Sequence, residues 1–273
     1  MTEALLYAAM AFVAAGLGTL GGLGGAVILV PGLVLAGLSP SEAAPLGLIS
    51  VAAASVAAAP RQLADRTVNH RLGVTTELLA SAGAIVGALV SGAVSDRALT
   101  LLLAAVAAGA AAAGTRVKGL RNPPNDDCVP ADVGERVGHL DGAYPLGDGI
   151  VPYRPRRLGG ALAFMGLAGA VAGMAGASGG FIKTPATTEI MGVPMRVATA
   201  TTTFTVGITS SAALIVFALQ GRIDPRFSAA VVAGSLLGGR AGARFQASLH
   251  PTRVRRLLSI ILAVVAVILV VQA

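Results

Sequence analysis

Two glycine clusters, each followed by a proline, interrupt long apolar segments of this chain. The first runs over residues 21–31 (GGLGGAVILVP) and the second over residues 176–185 (GASGGFIKTP). Glycine and proline both break helices, and lipid offers no partner for the backbone groups that a break exposes. Each break must therefore be buried in protein or line a cavity, and paired breaks in the two halves of a chain are typical of a transporter's substrate site.

The composition is that of a membrane protein. Hydrophobic residues make up 55% of the chain and charged residues 12%, and the mean hydropathy is +0.78, which excludes an ordinary soluble domain. Small residues such as the 36 glycines allow membrane helices to approach closely. The sequence therefore predicts an all-α polytopic membrane protein in a lipid bilayer. We attribute the net charge of +7 to membrane topology rather than to nucleic-acid binding.

The chain divides into two apolar halves joined by a polar segment. We predict a first transmembrane repeat over residues 1–114, a linker over 115–156 and a second transmembrane repeat over 157–273. The linker is polar and rich in helix breakers, so the sequence predicts that it is flexible.

The two halves match each other in sequence beyond their glycine clusters. An offset of about 155 residues relates Gly83 to Gly238, and one residue fewer relates Pro31 to Pro185. This correspondence predicts two homologous repeats that arose by internal duplication.

The first apolar segment of each half, near residues 4–38 and 157–191, is too long for a single crossing, since about 20 residues suffice. We predict that each forms a broken hairpin of two half-length helices that enters the membrane and returns, followed by three transmembrane helices. Most of the 20 Lys and Arg residues then fall on one face, a stronger bias than eight plain crossings give. Basic residues mark the cytoplasmic side, so we expect inverted repeats in the inner membrane, a cytoplasmic linker and both termini outside.

These motifs resemble the sulfite exporter TauE/SafE family, also called the 4-toluenesulfonate uptake permeases. The resemblance covers both halves and rests on the paired signatures, on Gly192-Val193-Pro194 with Ala198-Thr199 and Thr201 after it, and on Gly221-Arg222-Ile223-Asp224. It implies a carrier for a small sulfur-containing anion, namely sulfite, thiosulfate or an organosulfonate, driven by an ion gradient.

An anion site is predicted where the helices restart after the two breaks. Helix N-termini present free N–H groups and a partial positive charge, and glycine allows the backbone to approach a ligand closely. The predicted substrate-binding glycines are Gly24, Gly25, Gly179 and Gly180. The alternative is that these glycines only permit tight helix crossing.

Lys183 lies inside the second signature, where an unpaired ammonium costs about 2.5–3.5 kcal/mol. A bound anion would offset that cost, so we predict that Lys183 contacts the substrate and that Lys183→Ala abolishes binding without unfolding the protein. The alternative is that the side chain reaches the lipid headgroups from a short helix.

Hydroxyl side chains add further donors for an anion. Thr199, Thr202 and Thr203 share one face of the helix after the second break. Ser178 lies in the second signature, and Ser50 is the hydroxyl at the equivalent helix start in the first half. We predict all five as substrate ligands, with the alternative that they bond their own backbone or pack between helices.

Two charged residues within apolar segments are candidates for gating or coupling. Arg240 lies deep in its predicted helix, away from a stripe of glycines, and is the candidate for gating or anion entry. Glu189 is the candidate for proton coupling, since an intramembrane carboxylate can relay protons. Glu77 is about one turn inside its segment, so we expect it to be solvated at the membrane interface.

Other classes of protein fit the sequence less well. No histidine, cysteine or paired aspartate lies in the apolar segments, so the sequence predicts neither an enzyme nor a metal or cofactor site. A cation carrier stays open because unwound carbonyls bind Na⁺, and so does a membrane scaffold that transports nothing. Basic residues outnumber acidic ones at depth, which favours an anionic substrate with a proton or Na⁺ as the coupling ion.

Overall fold

The computed structural model describes residues 2–21, 24–115, 133–146, 149–246 and 251–272. These residues form ten α-helices, one π-helical turn and a three-stranded antiparallel sheet. The helices are α1 (Thr2–Gly21), α2 (Ala26–Leu35), α3 (Pro40–Ala64), α4 (His70–Ser91), α5 (Asp96–Thr115), α6 (Leu158–Ala175), α7 (Gly180–Pro185), α8 (Met195–Leu219), α9 (Pro225–Gln246) and α10 (Pro251–Gln272). The strands β1 (Gly134–Glu135), β2 (Gly142–Leu146) and β3 (Gly149–Tyr153) lie between α5 and α6, and the π-helical turn (Ala186–Ile190) continues α7.

Five helices in the described part of the chain are long and apolar enough to cross a membrane. They are α1, α3, α4, α6 and α8, and α2 is a shorter apolar helix. Helices of 18–25 residues reach about 27–38 Å, which matches the hydrocarbon core of a bilayer. The prediction of an all-α polytopic membrane protein is confirmed.

The first broken segment is a helical hairpin in which α2 turns back along α1. A Cβ at Gly18 would lie 2.2 Å from the backbone N of Gly25, and a Cβ at Gly25 would lie 2.7 Å from the Cα of Ala15. Glycine is needed at the turn because no side chain fits between the two backbones. The arms are unequal rather than half-length as predicted, since α1 has 20 residues and α2 has 10.

The second broken segment folds back along α6 in the same way. A Cβ at Gly179 would lie 3.0 Å from the carbonyl oxygen of Ala168, and the backbone N of Arg156 donates to the carbonyl of Met191 at 2.9 Å. Here the prediction of half-length arms is wrong again, because α6 has 18 residues and α7 has only 6. Pro185 lacks the N–H that would continue the helical bonding, and the chain widens there into the π-helical turn.

A stripe of glycines on α9 holds this helix against α1 of the other half. Cβ atoms at Gly234 and Gly238 would each lie 2.1 Å from a carbonyl oxygen, that of Ala8 and that of Phe12 respectively. Only glycine allows backbones to approach this closely. The residue numbers rise together along the two helices, so α1 and α9 run parallel.

The same kind of contact joins α4 to α6. A Cβ at Gly83 would lie 2.1 Å from the carbonyl oxygen of Gly166, and one at Gly87 would lie 2.1 Å from that of Ala170. Here too the numbers rise together, so α4 and α6 run parallel. In both cases the long arm of one half's hairpin packs on a helix of the other half, α1 on α9 and α6 on α4.

α3 packs against α9 through small side chains. The hydroxyl of Ser235 donates to that of Ser50 at 2.7 Å, and a Cβ at Gly239 would lie 2.9 Å from the Cα of Ala54. The rising numbers show that α3 and α9 run parallel.

α8 packs against α4 with the same relative direction. The backbone N of Asn69, which caps α4, donates to the hydroxyl of Thr201 at 3.0 Å. Two turns further on, the backbone N of Thr209 donates to the carboxylate of Glu77 at 2.9 Å. α8 and α4 therefore run parallel.

α3 and α8 cross each other in opposite directions. The hydroxyl of Ser55 donates to the carbonyl of Thr203 at 2.8 Å, while a Cβ at the later residue Gly207 would approach the carbonyl oxygen of the earlier Ala52. It follows that α1, α3 and α9 point one way and α4, α6 and α8 the other. We call the face at which α3 ends and α4, α6 and α8 begin the sheet face.

The described part of the linker is a folded sheet on this face, so the prediction of a flexible linker is wrong there. Tyr144 and Tyr153 are buried in a cluster with side chains of α4, α6 and α8. The amide of Asn69 donates to the Tyr153 hydroxyl at 3.0 Å, and burial raises the pKa of Tyr153 to about 12. Burial of these two aromatic rings against the helices stabilises the sheet, although the composition of the segment is polar. Residues 116–132 and 147–148 of the predicted linker lie outside the described residues.

A carboxylate from the sheet also caps α4. The backbone N–H groups of His70 and Arg71 donate to Glu135 at 2.6 and 3.2 Å. A negative charge at a helix N-terminus is favourable because it meets free N–H donors and the positive end of the helix dipole. The sheet is thus hydrogen-bonded to the helix bundle and is not only stacked on it.

The close contact between α4 and α6 yields a stability prediction. Gly83→Ala should lower the apparent melting temperature in detergent, because α4 and α6 must separate and overpacking costs about 1–3 kcal/mol. Gly166→Ala on the same interface is the control, since its Cβ would lie 3.8 Å from the carbonyl oxygen of Leu79, an ordinary contact. Equal melting temperatures for the two variants would contradict the packing described.

Candidate functional site

The tips of the two hairpins meet inside the helix bundle. A Cβ at Gly24 would lie 2.0 Å from the hydroxyl oxygen of Ser178, so the first tip touches the second directly. Gly24 also has a φ of +78°, which side chains other than glycine's rarely adopt. Ser178 is 1% exposed, and its hydroxyl oxygen accepts a hydrogen bond from the backbone N of Gly180 at 3.2 Å. The structure thus brings together predicted residues from both signatures.

α3 encloses this junction from the side. A Cβ at Gly47 would lie 2.4 Å from the carbonyl oxygen of Gly176, and a Cβ at Gly176 would lie 2.2 Å from the Cα of Ala44. The second tip therefore lies directly on the backbone of α3. Gly25 and Gly179 occupy the starts of α2 and α7, where neither provides a side-chain cap.

The three predicted threonines of α8 are all buried. Thr199 is 8% exposed, Thr202 5% and Thr203 6%. The hydroxyl oxygen of Thr203 is buried without a hydrogen-bond partner among the described residues. Such a group loses about 1–3 kcal/mol of hydrogen bonding relative to water. A ligand that bonded to it would recover part of that loss.

Ser50 already has a protein partner. It is fully buried, and its hydroxyl accepts the hydrogen bond from Ser235 that joins α3 to α9. This contact agrees with the alternative in which the hydroxyl packs between helices. Its role as a substrate ligand stays a prediction.

Lys183 forms a buried ion pair with Glu77, which joins α7 to α4. The Nζ atom of Lys183 lies 3.0 Å from each carboxylate oxygen of Glu77, and the two residues are 2% and 3% exposed. The hydroxyl of Thr209 on α8 accepts a hydrogen bond from Lys183 and donates one to Glu77. These three residues form the charged cluster, and they connect three helices.

The charged cluster corrects two expectations. Glu77 is not solvated at the interface, and Lys183 does not reach the headgroups, because each side chain satisfies the other. The charge of Lys183 is offset by Glu77, not by a substrate alone, so Lys183→Ala would leave a buried carboxylate unpaired. Loss of one partner of such a pair typically costs about 3–5 kcal/mol, so we now expect Lys183→Ala to destabilise the protein as well as to affect binding.

The ion pair of Glu77 was not predicted from the sequence, although a signal for it was present. Glu77 is the single charged residue between positions 72 and 95, and an isolated charge in an apolar segment needs an opposite charge elsewhere. Lys183 is a charge of the opposite sign in an apolar segment of the second half. Thr209 gave no such signal, because buried threonines commonly bond their own helix.

Glu189 and Arg240 both lie on the surface of the described structure. Glu189 lines a cleft of about 210 Å³ at the sheet face with Arg154, Arg156 and Arg157. The short α7 brings the chain back to this face by residue 189, which removes the membrane depth on which its predicted coupling role depended. Arg240 is exposed on α9, and its gating role stays a prediction.

Two interrupted hairpins whose tips meet between crossing helices define a polytopic membrane protein with the architecture of a transporter. The chain belongs to the sulfite exporter TauE/SafE family, whose family model matches residues 7–269, nearly the whole chain. The resemblance noted in the sequence is therefore confirmed, and the protein is a membrane transporter. Comparisons with curated proteins and with solved structures gave no match.

The ion pair yields a prediction for a double-mutant cycle. Lys183→Met and Glu77→Leu should each lower the apparent melting temperature strongly, by the equivalent of about 3–5 kcal/mol, because each leaves one buried charge unpaired. The double variant removes both charges and should recover most of the loss.

The matched control is the exposed pair Arg61–Asp65, whose side chains are 57% and 44% exposed. Removing either of these charges should change stability by less than about 1 kcal/mol. Additive losses in the double variant of Lys183 and Glu77 would show that the two residues do not interact.

Proposed function

We propose that the protein is a secondary transporter that moves a small sulfur-containing anion, such as sulfite, thiosulfate or an organosulfonate, across the inner membrane with coupling to an ion gradient. The family supplies the substrate class. The proposed binding site is the junction of the two hairpin tips.

The contact between Gly24 and Ser178 is the observation that carries this proposal. A membrane protein that only needed to span the bilayer would gain nothing from two broken helices, whereas a binding site needs free backbone groups away from lipid. The two breaks meet each other inside the bundle, as a shared site requires.

The chemistry near the junction suits an anion. Sulfite and sulfonates accept several hydrogen bonds, and the junction offers the hydroxyl group of Ser178. Thr199, Thr202 and Thr203 lie nearer the sheet face, where Ser55 of α3 contacts Thr203, and their role as substrate ligands stays a prediction. The helix starts at Gly25 and Gly179 add backbone N–H groups and partial positive charge.

The helix directions support inverted repeats. α1 and α6 are equivalent by the sequence offset and point in opposite directions, and so do the equivalent pairs α3 with α8 and α4 with α9. Basic residues are more numerous at the sheet face than at the opposite face; those described at the sheet face include Arg61, Arg66, Arg71, Arg154, Arg156, Arg157 and Arg196, against Arg97, Arg222 and Arg226. This bias supports a cytoplasmic sheet face and an outside N-terminus, and we extend the outside location to the C-terminus.

A thermal-shift screen of the purified protein in detergent tests the proposal. The ligands are potassium salts of sulfite, thiosulfate, sulfoacetate, sulfate and acetate, together with taurine and NaCl. A ligand at 100 times its Kd stabilises the folded state by about 2.7 kcal/mol. A shift with one or more of the sulfur anions, and none with acetate, is the expected result. A shift with Na⁺ alone would favour a cation carrier, and no shift with any sulfur anion would contradict the proposal.

A pair of glycine variants locates the site. Gly24→Ala forces a methyl group onto Ser178 and strains the backbone, and it should abolish both the anion-induced shift and transport. Gly37→Ala is the control, because Gly37 also has a positive φ (+103°) but its Cβ would have no neighbour within 4 Å. Backbone strain is common to both variants, so only the contact between the tips separates them. Normal anion binding by Gly24→Ala would place the site elsewhere.

A further inference from the structure

We propose that Glu77 and Lys183 form the coupling site of the transporter, where Glu77 takes up one proton as the transported anion binds to the ammonium group of Lys183. This inference rests on the proposed function and adds the coupling ion and the residues that bind it. The proton adds to the carboxylate to give a carboxylic acid, and no other bond is made or broken.

The charged cluster is isolated from other ionisable groups. α6, which packs along α4, carries none, and Lys183 is the only one on α7. On α4 itself the other ionisable residues are exposed His70 and Arg71 in its first turn, about two turns from Glu77, with Glu135 of the sheet beside them. The packed elements also carry exposed Arg196 in the first turn of α8 and exposed Glu189 in the π-helical turn. Exposed Asp96 and Arg97 are in the first turn of α5, which packs against α7. The charge state of Glu77 therefore decides whether Lys183 has a counterion.

The internal repeat shows that this fold does not require an ion pair here. The sequence offsets that relate the two halves place Leu29, Val232 and Ala54 at the positions equivalent to Lys183, Glu77 and Thr209. All three equivalents are apolar, and Leu29 and Ala54 are buried. A buried ion pair is seldom more stabilising than apolar side chains of similar size. Its presence in one half alone therefore points to a function other than holding the hairpin.

Charge balance links the proton to the anion. While Glu77 is ionised, the pair is neutral and holds little attraction for an anion. Protonation of Glu77 leaves Lys183 as a buried cation without a counterion, a state that is strongly unfavourable in a membrane interior. An anion beside Lys183 restores neutrality, so each ligand raises the affinity of the site for the other by the same factor.

The charged cluster lies next to the proposed substrate site. Lys183 is in the first turn after the second tip, and its backbone N donates to the carbonyl of Gly179 at 3.0 Å. Ser178, which contacts the first tip, immediately precedes Gly179 in the sequence. An anion at the junction is therefore about one helical turn from the ammonium group along the chain.

The ion pair also joins the short arm of the second hairpin to two long helices. Lys183 is on the short α7, whereas Glu77 and Thr209 are on two long helices that pack against each other. Protonation of Glu77 weakens the bond between α7 and those helices at the moment when the anion binds. This gives a two-state element that both ligands bias, which is the physical requirement for coupling.

The experiment uses full-length protein in proteoliposomes with the membrane potential clamped at zero. Radiolabelled sulfite, thiosulfate and methanesulfonate are tested first for exchange without a gradient and then for accumulation driven by a pH gradient. With one proton per anion, the wild type should accumulate the anion about tenfold per pH unit. Glu77→Gln should lose accumulation driven by the pH gradient, because the amide cannot take up the proton. Glu189→Gln is the matched control and should accumulate the anion like the wild type.

The outcomes separate this inference from the proposed function. If the wild type exchanges none of the three anions, the proposed function fails. If exchange occurs but Glu77→Gln still accumulates anion in response to the pH gradient, only the coupling site is wrong. Methanesulfonate and thiosulfate do not protonate near neutral pH, so accumulation of either reports protons carried by the protein.

A second variant protects the test against misfolding of Glu77→Gln. The triple variant Lys183→Leu, Glu77→Val, Thr209→Ala gives the charged cluster the residues of the other half. It should remain folded, with a melting temperature near that of the wild type, and should lose proton-driven accumulation. Retained accumulation would overturn the inference, and so would the absence of proton entry accompanying anion entry into wild-type liposomes, measured with a trapped pH-sensitive dye.

Discussion

Backbone groups freed by a break in a membrane helix must find partners inside the protein, and this constraint organises the whole structure. Each half helps to bury the break of the other: the tip at Gly24 meets the tip at Ser178, and α3 closes over the second tip. The long arms α1 and α6 pack on helices of the opposite half. The two repeats are therefore mutually dependent, and a half alone would leave its broken helix exposed to lipid.

The charged cluster adds a second constraint at nearly the same place. Its two charges come from different halves of the chain, so the ion pair fastens the second hairpin to a helix of the first repeat. The repeat that lacks the pair has apolar residues at the equivalent positions. The second hairpin thus has a charged contact to the other half that the apolar residues at the equivalent positions of the first hairpin cannot make. On our proposal, this difference is what would make the second hairpin respond to protons.

The features that could be predicted from sequence are those encoded locally. The break at Gly24 and its counterpart in the second half could be predicted because glycine clusters interrupt a membrane helix whichever helices surround it. The ion pair could not be assigned, because Lys183 and Glu77 are 106 residues apart and nothing local specifies which helices meet. The sheet was missed for a different reason: buried Tyr144 and Tyr153 gain their stability from contacts outside the linker.

The glycine stripes on α4 and α9 limit how the molecule can move. Carbonyl groups of one helix lie against glycines that recur every four residues on the other helix, as at Gly234 and Gly238. Sliding one helix along the other by less than this four-residue spacing, about 6 Å along the axis, would make the two backbones clash. The pairs α1–α9 and α4–α6 therefore behave as two rigid rods. The two pairs meet where α3 crosses α8 and the hydroxyl of Ser55 contacts the carbonyl groups of Thr203 and Phe204, so this crossing is where one pair could tilt against the other.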